Sequence, residues 1–391
     1  VPPDLQYRRD GVTLTGFALL AVWACFVYLV GPVSVAARED FGLSDAQAGL
    51  IGTAFAAGLV GSGVVGPVAV RRFGRRGALV VMLAALAACV ALLALAPGYV
   101  AVLLAVLGAG LTGAVVANIA TAVLSDHQGG HRARAITEGN AVGAWVGLLS
   151  PAVVAVFLTT RWGWQGAVWL TVALPLVVLP LVVARLAPGP SPGAAAGPAS
   201  PRHPLPSVFW VSLVCVAMAV AAEFSLTFWA APLIVEGTGA PLASATGALS
   251  ATVLGVALGR TFAARLPGRF GLPGLLATGF WLLAVATAAL LLAPTYPAAV
   301  AALLLCGLGI SVLFPFAQSL ALTLAADQAD RAVAIVALAI GVAIGAAPFL
   351  LGVLAEAVGL RPAFLAAFGT AAAGLVAALA VGRLAAPARR P

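Results

Sequence analysis

Lysine is absent from this chain, so its 20 cationic side chains are all arginines. A phosphate-binding Gly-x4-Gly-Lys loop therefore cannot be drawn anywhere in it, which argues against ATP-driven work by this chain alone. Charge of either sign is sparse, at 8% of residues, with only 12 acidic side chains. The 4 cysteines, Cys25, Cys89, Cys215 and Cys306, fall within apolar runs at spacings that suit neither a disulfide framework nor a metal site. They read as small packing residues. No cofactor, no metal and no enzymatic activity is expected. What is abundant is apolar surface: 63% of residues are hydrophobic and the mean hydropathy is +1.12, so lipid is the solvent.

A span of the hydrocarbon core takes about 20 residues, so a chain of 391 has room for about twelve spans and short loops. Apolar runs predict spans over 13–36, 46–70, 77–96, 99–124, 135–158 and 166–185, then 208–234, 243–266, 271–292, 297–325, 331–358 and 362–384. Between the sets lies a Pro-, Gly- and Ala-rich stretch that reads as a flexible linker. The expected division is a bundle over 1–186, a linker over 187–206 and a second bundle over 207–391. The fold class is thus all-α integral membrane, with twelve transmembrane helices in two pseudo-symmetric six-helix bundles.

The arginines fix the expected orientation. Those in the N-terminal segment, the even-numbered loops and the C-terminal segment number 16, against Arg38, Arg161 and Arg361 on the other side. The positive-inside rule then places both termini in the cytoplasm and explains the net charge of +8 without nucleic acid. The first apolar run is as long as the others and is expected to stay as an anchor rather than be cleaved as a signal. An initial Val1 and the use of arginine in place of lysine point to a GC-rich bacterial genome, and hence to the inner membrane.

The halves repeat. Arg72-Phe73-Gly74 returns as Arg269-Phe270-Gly271, Gly108-x-Gly110 as Gly307-x-Gly309, Arg134-Ala135 as Arg331-Ala332, and Gly143-x3-Gly147 as Gly341-x3-Gly345. Two similar halves can rock about a central site, which is the mechanical requirement for alternating access. Small-x3-small pairs such as Gly58/Ser62 and Gly255/Gly259 suit close helix packing.

Around the first repeat, Arg72, Gly74, Arg75 and Arg76 match a loop motif of Gly, three residues, Asp, a basic residue, any residue, Gly and basic residues. On this loop, with Trp162-Gly163-Trp164-Gln165 before the sixth span, the chain resembles the major facilitator superfamily over its whole length. The match departs in two respects: Pro67 stands at the motif's first Gly position and Arg71 at its Asp position, and Gly268 stands at the latter in the second copy, which keeps Arg269 and Gly271. The resemblance implies a cytoplasmic gate at these residues. Anchoring of the arginines to anionic lipid is the plainer alternative.

Ionisable groups inside spans carry the chemistry, because a charge there costs at least ~2.5 kcal/mol and seeks a cavity or a partner. Glu223, midway along the seventh span, is a candidate to load and release a proton; a hydrogen-bonded structural pin is the alternative. Arg260 lies eight residues before Gly268, the position at which nitrate and organic-anion porters of the superfamily bind substrate. The resemblance therefore implies an anion-binding arginine, although it could equally snorkel to the interface. Its counterpart in the first half is Gly63, so the paired clamp of nitrate porters is missing. From the helix ends, Glu223 lies roughly 22 Å deep and Arg260 roughly 10 Å, so a direct pair is not expected. The stretch Glu223 to Trp229 also resembles cyanate- and sugar-permease-like bacterial members.

Tyr28, Asn118, Asn140, Trp145, Trp229 and Gln318 are further candidates for substrate contact, with packing or interhelical hydrogen bonds as the alternative for each. Asp126, Glu138, His127 and His131 read as a solvated loop. The expected function is secondary active transport of a small anionic or polyhydroxylated solute, coupled to protons, by a monomer surrounded by lipid. A proton-coupled multidrug exporter and a non-transporting receptor or scaffold are the alternatives.

Overall fold

The structure is a computed structural model that describes residues 7–187, 204–263, 271–325 and 328–385. Among these, all regular structure is helical. Eleven helices or helix pairs are long and apolar enough to cross a bilayer. One of them, α2 (Asp45–Ala94), has 50 residues and holds the second and third expected spans, so the set accounts for twelve. The remainder are α1 (Gly11–Phe41), α3 (Tyr99–Gln128), α4 (Arg132–Gly147) with α5 (Leu149–Leu158), α6 (Gly163–Arg185), α7 (Ser207–Thr238), α8 (Leu242–Ala263), α9 (Leu272–Leu291), α10 (Tyr296–Leu324), α11 (Ala329–Val358) and α12 (Leu365–Ala385).

The repeated glycine explains its own repetition. Gly74 breaks α2 with φ 68° and ψ 171°, and Gly271, before α9, has φ 70° and ψ 153°. A side chain is strongly disfavoured at these angles, so both halves spend a glycine on the same turn. Within the fifth span the helical hydrogen-bond ladder is interrupted at Leu148, which keeps helical angles of φ −52° and ψ −32°. Pro151 has no N–H to give to the Gly147 carbonyl four residues back, which weakens the helix there.

The chain divides into two compact units: Val1–Phe41 with Ala54–Ala194, and Gly42–Thr53 with Ala195–Pro391. In the first, α1 packs on α3, α4, α5 and α6 and is buried on most sides. In the second, α7 has the same role among α8, α10, α11 and α12. The second unit also holds residues 42–53, a segment that the expected division gives to the first bundle. Its attachments are specific: the Thr53 hydroxyl donates to the Gly345 carbonyl at 2.7 Å, and Glu356 accepts the Ala46 amide at 2.8 Å.

Glycines set the helix crossings, and they do so twice. In the first unit a Cβ on Gly58 would lie 2.1 Å from the Leu107 carbonyl oxygen, and one on Gly110 would lie 2.6 Å from that of Phe55. In the second, Gly255 meets the Leu304 oxygen at 2.3 Å and Gly307 that of Thr252 at 2.0 Å. Every member of the first set is offset by 197 from its counterpart in the second, so Gly110 corresponds to Gly307. The sequence pairing of Gly108 with Gly307 is therefore two residues out of register. Gly108 instead faces the Cys89 sulfur.

Candidate functional site

Within α7, Glu223 and Thr227 stand apart. From Ala219 to Ile234 every other residue is buried, whereas these two, one helical turn apart, are half-buried on a single strip. The Thr227 hydroxyl is satisfied by the Glu223 carbonyl oxygen at 2.8 Å, which leaves the carboxylate as the chemically active member of the strip.

Arg260 lies three residues before the end of α8 and is half-buried. Its neighbour Gly259 is pressed against Ser311 of α10, which holds this turn of α8 close to α10. Among the described residues no ion pair joins Arg260 to Glu223. The second unit thus carries one mid-span carboxylate on α7 and one guanidinium near the end of α8, with no ion pair between them.

The other candidates scatter. Trp229 is only 2% exposed, and its indole N–H donates to the Pro348 carbonyl at 2.9 Å. Its ring is enclosed within the fold, the arrangement weighed above as the alternative to solute contact. Tyr28 is also buried, with its ring over Gly147. Asn118, Asn140 and Trp145 are exposed, and the Asn140 amide donates back to the Ile136 carbonyl of its own helix at 2.9 Å. Gln318 is half-buried. Arg269 lies outside the described residues.

The arginine loop has a partner that the motif alone does not reveal. Arg75 binds Asp126, at the end of α3, at 2.6 Å, while Arg72 lies over the Phe73 ring at 5.5 Å. The loop carboxylates are more organised than a solvated loop requires. Glu138 accepts the Tyr7 hydroxyl at 2.6 Å, Arg9 Nε at 2.9 Å and Arg134 Nε at 3.0 Å, and the Arg134 guanidinium lies 4.4 Å from the Tyr7 ring centre. Asp10 takes the Thr13 amide and hydroxyl on one oxygen and His127 on the other. Partial burial opposes ionisation of Asp10, but the bonds from Thr13 and His127 prevail and hold its pKa down at about 2. These contacts tie the segment before α1 to the facing ends of α3 and α4. At the opposite end of the unit, Trp164 and Gln165 both donate to Asp40, at 3.2 and 2.9 Å, which gives the Trp-Gly-Trp-Gln run a structural reason.

The sequence profile described as Major Facilitator Superfamily matches residues 12–271 and 212–391. No curated protein matches the chain. Among solved structures, it is similar to a bacterial homolog of the human lysosomal transporter Spinster in an inward-facing, unoccupied conformation. The TM-score is 0.71 at 17% identity, over 96% of this chain and 98% of that one. A mutant of the nucleoside transporter NupG gives a TM-score of 0.74 at 12% identity, over 95% and 98% of the two chains.

Proposed function

Because the chain belongs to the Major Facilitator Superfamily, we propose that it is a secondary active transporter that moves a small anionic or polyhydroxylated solute by alternating access, coupled to protons. The observation that carries this reading is the Glu223/Thr227 strip of α7, half-buried on an otherwise buried stretch, in the same unit as the half-buried Arg260 of α8. Arg260 cannot discharge, so its field asks for a compensating negative group. Glu223 supplies that group when ionised. An anionic solute at Arg260 supplies it instead, which leaves the carboxyl free to hold a proton. Solute and proton would then be linked through one guanidinium, without a paired clamp and without a second intramembrane arginine.

In this reading the glycine crossings at Gly58, Gly110, Gly255 and Gly307 give each half stiff helix pairs that move as bodies, and the arginine loop and its Asp126 contact lie at the cytoplasmic end. The test is a thermal-shift screen of the purified protein against anions, sugars, amino acids and cationic drugs. A ligand at 100 times its Kd adds about 2.7 kcal/mol of stability. Stabilisation by an anion or sugar that disappears in Arg260→Ala supports the proposal. Stabilisation by cationic drugs alone, indifferent to Arg260, would transfer it to the exporter reading.

A further inference from the structure

The repeat breaks on one face of the central helices. In the first unit, Phe17, Leu20, Ala24 and Tyr28 of α1 meet the glycine row Gly139, Gly143 and Gly147 of α4, and side chains fill the contact. The counterparts at the offset of 197 are Val214, Ala217, Ala221 and Ser225 of α7, in three of four cases a smaller residue. All four line an open groove of about 800 Å³ between α7, α11 and α12. Ala221 and Ser225 each lie two residues from Glu223, about 200° around the helix, so the groove is on the far side of α7 from the carboxylate strip.

We propose that this groove seats the acyl chain of an anionic phospholipid from the surrounding bilayer, with the headgroup phosphate at Arg331. Along α11 the groove runs from Ile335 to Leu354, and 19 residues of rise give about 28 Å, close to the ~30 Å thickness of a hydrocarbon core. Its walls are almost wholly Ala, Val, Leu, Ile and Met, with Ser225 and Thr370 as the hydroxyl-bearing members. Apolar walls at this depth suit hydrocarbon and offer a polar solute nothing. One end carries the features of a membrane interface. Trp210 lines it at 47% exposure, and the exposed Arg331 lies one turn before Ile335 on α11. The place is independent of the transport reading.

The experiment uses the full chain, reconstituted in nanodiscs of phosphatidylcholine and phosphatidylglycerol, extracted into detergent and weighed by native mass spectrometry. Wild type should retain phosphatidylglycerol. Ala217→Leu/Ser225→Tyr, which restores the side chains of the first unit, should lower that retention about tenfold or more, since two displaced methylenes account for that much. Ala339→Leu, on the facing wall, is an independent filling variant should the double variant not fold. Arg331→Gln should keep the bound lipid but lose the preference for phosphatidylglycerol over phosphatidylcholine. Failure of wild type to retain lipid, or equal retention by a folded filling variant, overturns the proposal. An unchanged headgroup preference in Arg331→Gln overturns the placement of the phosphate.

Discussion

Replacing Gly255 by alanine sets two effects of opposite sign against each other. In a helix interior alanine is favoured over glycine by about 0.8–1.0 kcal/mol, so propensity alone predicts a more stable protein. The crossing predicts the reverse. The added methyl would stand 2.3 Å from the Leu304 oxygen, 2.7 Å from the Leu308 nitrogen and 3.0 Å from the Gly307 carbonyl carbon, all backbone atoms that cannot rotate away. Ordinary contact begins near 3.4 Å, so α8 and α10 must separate by about an ångström along one of the closest contacts of the second unit. Overpacking of this kind costs about 1–3 kcal/mol, which exceeds the propensity gain over most of its range. The net loss of up to about 2 kcal/mol corresponds to a fall in thermal midpoint of up to about 8 °C for a unit of this size. Gly58→Ala, its repeat counterpart with 2.1 Å to the Leu107 oxygen, should fall alongside it, whereas Gly274→Ala, with nothing within 4 Å, should hold or rise slightly. Midpoints of the three variants in one detergent decide the matter. A Gly255→Ala protein at least as stable as Gly274→Ala would show that the crossing is not tight and that the repeated glycines serve another purpose.

Three further outcomes follow from the same contacts. Gly74→Ala forces a side chain to φ 68° and should destabilise by about 1–2 kcal/mol, read as a lower thermal midpoint than that of Gly77→Ala three residues on. Trp229→Phe removes the indole N–H donated to the Pro348 carbonyl and leaves a void beside the smaller ring, and should cost about 1–3 kcal/mol, yet leave solute affinity within about twofold because the indole has no open face. Asp10 has a depressed folded pKa, so its contribution is complete above about pH 5 and is lost as pH falls through about 2. Asp10→Asn should therefore lower the thermal midpoint at pH 6, and the gap should shrink to a small fraction at pH 2, where the folded-state carboxyl is about half-protonated; a gap at pH 2 as wide as at pH 6 would assign the effect to something other than the carboxylate charge.

The spans were readable because a bilayer demands about 20 apolar residues whatever their partners. The twofold repeat was readable because its glycines are needed for backbone geometry: Gly74 and Gly271 for a positive φ, Gly58 and Gly255 for a carbonyl at close quarters. Register was another matter. Both Gly108-x-Gly110 and Gly307-x-Gly309 offer two glycines, and only the facing helix decides which one carries the crossing. The contacts of Glu138 with Tyr7 and Arg9 span 131 and 129 positions, and no local pattern announces such a pairing. Trp229 shows a related limit, since an aromatic residue near a buried carboxylate reads alike whether it stacks on a ligand or hydrogen-bonds a carbonyl 119 residues away. Glu223 and Arg260 were visible as costly charges in apolar runs, whereas the exposure of the Glu223/Thr227 strip arises only once the helices around α7 are in place.

The proposed linkage between solute and proton at Glu223 and Arg260 is tested most directly by proton flux in proteoliposomes. A pH-sensitive dye inside the vesicles would be followed on addition of an anion or sugar that stabilises the purified protein. Wild type should move protons with the solute. Glu223→Gln should exchange labelled for unlabelled solute across the membrane but move no protons. Proton movement in Glu223→Gln at the wild-type ratio to solute would contradict the account and place the coupling group elsewhere.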